Sequence, residues 1–166
     1  YLYDNGGDGW VTVPQTPSSL DNRLQVFING ISVDTITMHD PGSGSNPYDL
    51  VSICTAIQQE QQAVDKVIVI IHGGHEHYNL PSPRMVRHYR FMIDQGADCV
   101  VGHHQHCIVA GEIYKGKPIH YGLGNLIFRK ASDRADWYEG VLLQIDIGDD
   151  ITMDAWMIKP KDFDDT

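Results

Sequence analysis

Three histidines, His103, His104 and His106, fall within four positions of VVGHHQHCIV, directly after an apolar run. A second group, His72, His75 and His77, follows another apolar run in KVIVIIHGGHEHY, with Glu76 among them. Imidazole is the commonest protein ligand for zinc and also suits iron, nickel and copper. His104 and His106 from one tight loop, with His72 from the end of another strand, could take one face of a metal ion. The alternative is a set of polar turn residues, which is what a single histidine at a strand end usually is. His39, His88 and His120 are read that way and His77 as a surface residue. His75 and His103 stand between the two readings.

Glu76 could act as a general acid or base, orient an imidazole, or be no more than an exposed loop acid. Asn125, in YGLGNLIF, could bond either a loop backbone or a ligand. Tyr78, Tyr89 and Tyr121 are read as packing residues. The candidate catalytic residues are therefore Glu76, His103 and Asn125, and the candidate metal ligands are His72, His104 and His106. Other chemistries find no support. The sequence has no G-x-S-x-G elbow, no G-x-x-x-x-G-K-[ST] or G-x-G-x-x-G phosphate loop, and GGHEH is not the H-E-x-x-H of a zincin helix.

Groups this far apart in sequence meet only if the fold brings two strand ends together. KVIVIIH is an unbroken β-branched run, the pattern of a strand buried on both faces, as in a parallel sheet covered by helices. SPRMVRHYRFMIDQG reads as a helix, with Ser82 as cap, Pro83 in the first turn and Gly96 at the end. ADCVVG is a second buried strand. Residues 66–102 thus form a βαβ unit, and in open α/β sheets functional groups gather beyond the carboxyl ends of the strands. Upstream, YDLVSICTAIQQEQQAVDK carries apolar residues at helical spacing and predicts an amphipathic helix on the sheet. Before it, two β-rich runs flank Asn29–Gly30, a strong hairpin signal, and PGSGSNP is a break. Residues 1–22 read as an irregular segment with a short strand at WVTV, and 23–166 as the domain. Lys115–Gly116 and Asp149–Asp150 each sit between β-rich runs, so the last third is predicted to be antiparallel.

The chain has 166 residues, 42% of them hydrophobic, enough for one core. Its formal net charge is −10, which argues against nucleic-acid binding, a task that needs a basic surface. The three cysteines follow neither a redox nor a zinc-ribbon spacing, and Cys99 reads as a small core residue. The start, YLYDNGGDGW, has no initiator Met, basic n-region or apolar h-region, so the chain is expected to begin inside a longer precursor.

Three stretches together, IHGGHEHYNLPSP, MIDQGADCVVGHHQH and YKGKPIHYGLGNLIF, resemble the CapA-type capsule-synthesis or poly-gamma-glutamate biosynthesis proteins. These belong to the calcineurin-like metallophosphoesterase superfamily. The family pattern runs H-W-G-x-E-Y, then G-A-D-x-V-x-G-H-H-P-H, then Y-x-G-K-P-I-x-Y-S-L-G-N-F. His72, Gly74, Glu76, Gly102, His103, His104, His106, Gly124 and Asn125 agree with it. Gly73, His77, Gln105, Gly122 and Leu126 stand where it has Trp, Tyr, Pro, Ser and Phe.

The resemblance implies the second half of a metallophosphoesterase-like domain, a layered βαβ sheet with antiparallel C-terminal strands. It implies metal ligation by His72, His104 and His106, with His103 as an extra histidine. It also implies a divalent metal (Mn, Zn or Fe), and a complete site of this type holds two ions ~3.5 Å apart. The D-x-H, G-D and N-H ligands of the superfamily's first half are not evident here. The implied partners are an anionic polymer or phosphorylated substrate, membrane-complex partners and a partner half-domain. The implied address is extracytoplasmic or cell-surface, with the anchor outside this chain. Two non-enzymatic readings stay open: a scaffold or binding module for polymer export, and a fragment completed by a partner half.

Overall fold

The computed structural model describes residues 49–127 and 131–159. Before them it describes the backbone of four strands, β1 (Leu2–Asp4), β2 (Trp10–Thr12), β3 (Val26–Ile28) and β4 (Ile31–His39). The strand expected at WVTV is β2, which pairs antiparallel with β1. The boundary expected between residues 22 and 23 lies outside the described residues. β3 and β4 form the hairpin predicted around Asn29–Gly30, with Ile28 opposite Ile31; the turn itself is also outside the described residues.

Helix α1 (Leu50–Glu60) begins where Asp49 accepts the Ser52 N–H at 3.1 Å. It ends earlier than its apolar spacing suggested, because the chain turns at residues 61–63 and Val64 enters the core from that turn. Strand β5 (Lys66–His72) leads to helix α2 (Pro83–Asp94), capped by Ser82 with Pro83 in its first turn, as predicted. Strand β6 (Cys99–His103) follows, then β7 (Ile108–Tyr114) and β8 (Lys117–Leu123), the hairpin expected around Lys115–Gly116. The last hairpin is β9 (Gly140–Ile147) with β10 (Ile151–Ile158), again as predicted.

Six strands form one sheet in the order β3-β4-β5-β6-β8-β7. The inner four, β4, β5, β6 and β8, run parallel; β3 and β7 are antiparallel edges. Alternation along each strand sorts side chains onto two faces. Val67, Val69, Ile71 and Val100 pack with Ile53, Ile57 and Met92 on the helix side. Ile68, Ile70, Cys99 and Val101 pack against Leu143, Ile145 and Ile151 on the other. The second face is therefore covered by the β9–β10 hairpin, not by the helices that the unbroken run of β5 suggested. Such a run reports burial on both faces, not what does the burying. Cys54, Cys99 and Cys107 are all free thiols, and burial pushes the Cys99 thiol up to about 12, as befits an inert core residue. Among the described residues, no helix is long and apolar enough to cross a membrane.

Candidate metal centre

The parallel register aligns the carboxyl ends of three strands, with His39 beside His72 and His72 beside His103. His72 continues the Ile68–Ile70 row and so falls on the hairpin side of the sheet. Immediately after β6 the backbone turns through His104 with φ 107°. That turn brings His104 Nδ1 to 3.3 Å from His72 Nε2, with ring centroids 5.0 Å apart. Two of the three predicted ligands, 32 residues apart in sequence, thus face each other nitrogen to nitrogen.

The third, His106, lies in the same cluster on a different support. Its centroid is 6.4 Å from that of His104, and its ring stacks on Trp137 at 4.8 Å. Trp137 comes from a short 3-10 turn, Ala135–Tyr138. Asn125, buried at 6% exposure, holds both: its Oδ1 is 2.8 Å from His106 Nδ1, and its Nδ2 donates to Trp137 O at 2.8 Å. An oxygen acceptor requires the proton on Nδ1, so the lone pair of the neutral His106 ring is on Nε2. Of the two roles open to Asn125, bonding the loop backbone is the one seen, together with orienting His106.

Glu76 is half exposed and stands between two imidazoles, 3.8 Å from His104 Nε2 and 3.7 Å from His77 Nε2. It thus faces the nitrogen of His104 that points away from His72, the place of a carboxylate that orients a ligating histidine. His103 is not part of this group. Burial holds its imidazole below the ordinary value, and its neighbour is His120. His120, expected at a turn, instead sits within β8 at 7% exposure, where burial and then His103 depress its pKa. His88 is half-buried on α2, and His75 lies beside Tyr78. Tyr89 and Tyr121 stack in the core as expected, whereas Tyr78 is 68% exposed and so is not a packing residue.

His77, read as a surface residue, is partly exposed and also borders the cluster. Its ring lies 6.2 Å from His106 and 5.9 Å from Trp137, at the edge of the cluster. Its backbone is fixed by Gln105 O, which accepts the His77 N–H at 2.7 Å, and by the Arg134 guanidinium, which donates to His77 O at 3.2 Å. Arg134 is itself clamped by Asp136, whose carboxyl it holds below the usual range.

Gln105 ties the two histidine loops together. Its Nε2 donates to Gly73 O at 2.9 Å, while Gly73 N donates to His103 O at 3.1 Å. The space is tight: a Cβ on Gly74 would stand 2.7 Å from Gln105 Nε2, and one on Gly122 2.7 Å from Gln105 Oε1. Gln105 and Gly122 both depart from the family pattern, and they meet here. Neither Gln105 nor Trp137 carried a sequence signal. His77 carried one, its place two residues after His75 in HEH. His77, His104 and His106 all have positive φ, and each such non-glycine residue costs about 1–3 kcal/mol, a cost that concentrates at functional loops.

The donors fit a metal in part. Two imidazole nitrogens bound to one tetrahedral ion at ~2.0–2.1 Å lie about 3.3 Å apart, the separation seen between His72 and His104. Among the described residues, no three His, Cys, Asp or Glu side chains are gathered in a metal-holding group.

A parallel sheet with imidazoles at its carboxyl edge, helices on one face and an antiparallel hairpin on the other, is consistent with the second half of a metallophosphoesterase-like domain. The chain matches the bacterial capsule synthesis protein family PGA_cap over residues 15–130, and it belongs to that family. It is 34% identical over 145 residues to the capsule biosynthesis protein CapA of Bacillus anthracis, covering 79% of this chain and 35% of that protein. It is 33% identical over 111 residues to the PGA biosynthesis protein CapA of Bacillus subtilis strain 168, covering 61% of this chain and 29% of that protein. A probable polyglutamine synthesis accessory protein of Mycobacterium tuberculosis is 33% identical over 89 residues, covering 54% of this chain and 21% of that protein. The chain therefore spans about a third or less of the length of these relatives.

Proposed function

We propose that this domain serves the synthesis of an anionic capsule polymer of the polyglutamate kind, as part of a metal-dependent hydrolase or transferase acting on that polymer or a phosphorylated substrate. His72 and His104 are the ligands of a divalent ion (Mn, Zn or Fe), through Nε2 and Nδ1, and His106 supplies a further nitrogen through Nε2. When bound, such an ion lowers the pKa of a water and polarises a phosphoryl-like oxygen. Glu76 keeps His104 turned toward His72 and accepts a proton at the mouth of the site. Asn125 fixes the tautomer of His106, and the Gln105 link holds the two loops at a constant spacing. His103 takes no direct part in this scheme and supports the strand end from the hairpin side.

The observation that carries the reading is the 3.3 Å approach of His72 Nε2 to His104 Nδ1, at a sheet edge where the family motif and the register coincide. Metal analysis of the purified chain tests it. The wild type should retain a divalent ion that His72→Ala and His104→Ala each lose; equal content in all three would refute the ligand assignment.

A second reading has its own support. Three donors are not gathered among the described residues, and the relatives are roughly three times longer than the matched part. On that reading the domain is a scaffold or binding module for polymer export, or needs a partner half to complete its site. It predicts polymer binding with no phosphodiester turnover under any divalent ion, and turnover by this chain alone would count against it.

A further inference from the structure

The loop between β5 and α2 leaves two large apolar side chains in solvent, Tyr78 at 68% exposure and Leu80 at 77%. Both border a cavity of about 430 Å³, within the size range of small-molecule sites. Pro81 and Met85 complete its apolar wall, and the His75 ring stands edge-on to Tyr78 at 6.4 Å. Its lining includes no Asp, Glu, Lys or Arg among the described residues. The one amide side chain on that lining is Gln105, 3% exposed, which comes from the other histidine loop. Its Nε2 donates to Gly73 O at 2.9 Å, which fixes Oε1 as the remaining end, and Oε1 has no hydrogen-bond partner among the described residues. A buried acceptor left in this way is costly and calls for a donor. Two departures from the family pattern create it. Gln105 stands where that pattern has Pro, which has no side-chain amide. Gly122 stands where it has Ser, and a Cβ there would stand 2.7 Å from Oε1.

We infer that this cavity is a subsite for an uncharged aromatic ring that carries one hydrogen-bond donor, an O–H or N–H, which Gln105 Oε1 accepts. The wall selects the ring: Tyr78 offers a face to stack on, and the Met85 thioether makes favourable contact with an aromatic edge. An ionised group is disfavoured, because no charge on the lining offsets its loss of water. A sugar is disfavoured too, since most of its hydroxyls would lose water without gaining a partner. Ser82, also on the lining, already caps α2 through its Oγ. The chemistry is therefore that of a phenol or an indole. Gln105 lies between His104 and His106 in the chain, and His75 lies next to Glu76, so a ring held here borders the two histidine loops. The inference needs neither the metal nor the polymer of the reading above.

The test follows the methyl NMR signal of Met85 in the full chain, assigned through Met85→Leu, as p-cresol or toluene is added. The two probes differ by one hydroxyl, and chelator keeps metal out of the measurement. Both should shift the signal saturably. The ratio of p-cresol to toluene affinity should fall about three- to tenfold in Gln105→Leu, the worth of one neutral hydrogen bond. Gln105→Pro, which puts back the residue of the family pattern, should do the same and guards against a packing effect of the leucine. Tyr78→Ala should weaken both probes by about twofold or more and leave their ratio within about twofold, because it removes the stacking face and not the acceptor. Thermal melts of each variant verify that it is folded. A ratio that survives loss of the amide in both Gln105 variants would overturn the inference. So would the absence of a saturable Met85 shift with either probe, or unchanged affinities in Tyr78→Ala.

Discussion

At the scale of single residues, the site is a matter of which nitrogen each imidazole presents. Asn125 decides this for His106, because its amide is committed at both ends, to His106 Nδ1 and to Trp137 O. Asn125→Leu leaves both partners unsatisfied in a buried place, so it should cost about 1–3 kcal/mol in a urea melt. It should also weaken divalent-ion binding about 10- to 100-fold, the usual effect of removing the group that orients a ligating histidine. Unchanged ion affinity would remove Asn125 from the site. Gln105 acts on the spacing of the loops. A methyl on Gly122 would press on Gln105 Oε1 at 2.7 Å and on Val109 Cγ2 at 2.9 Å. Gly122→Ala should therefore be destabilising alone and less so in a Gln105→Ala background, with a coupling of about 1 kcal/mol in the double-mutant cycle. Strict additivity would show that the two positions do not press on each other.

At the scale of elements, what matters is how α2 is held against the strands. Glu112 of β7 receives the Arg90 fork from α2 and the Tyr121 O–H from β8, and these bonds hold its carboxyl below the ordinary 4.5. A carboxyl depressed in the folded state stabilises the fold above its unfolded pKa and ceases to do so as the pH falls through the lower folded value. Thermal stability should therefore drop more steeply below pH 4.5 in the wild type than in Glu112→Gln, measured in melts from pH 6 to pH 3. Parallel curves would mean that the strut contributes nothing.

Much at this scale was legible in the sequence. Ser82, Pro83 and Gly96 delimited α2, Asn29–Gly30 and Lys115–Gly116 marked hairpins, and the β-branched runs of β5 and β6 gave the buried strands. What covered the second face was not legible, because a continuous apolar run is blind to whether helix or hairpin lies over it. The convergence of His72 and His104 followed from parallel strands ending in histidine. The roles of Trp137 and Gln105 did not, since each is set by a contact between segments far apart in the chain. His120 was misjudged although its stretch was read as a hairpin arm, because a lone histidine was taken for a turn residue, whereas β8 carries it inward to 7% exposure.

At the scale of the whole molecule, the chain is a family member that spans about a third or less of its relatives' length, with His72, His77, His104 and His106 collected at one edge of its sheet. The formal net charge of −10 argues against broad binding of polyanions. The account depends on His72 and His104 sharing an ion, and X-ray absorption spectroscopy of the zinc-loaded chain reads that directly. The nearest neighbours should include at least two imidazole rings with Zn–N distances of about 2.0–2.1 Å, one of them lost in His104→Ala. A zinc environment of oxygen neighbours alone, the same in wild type and variant, would contradict it.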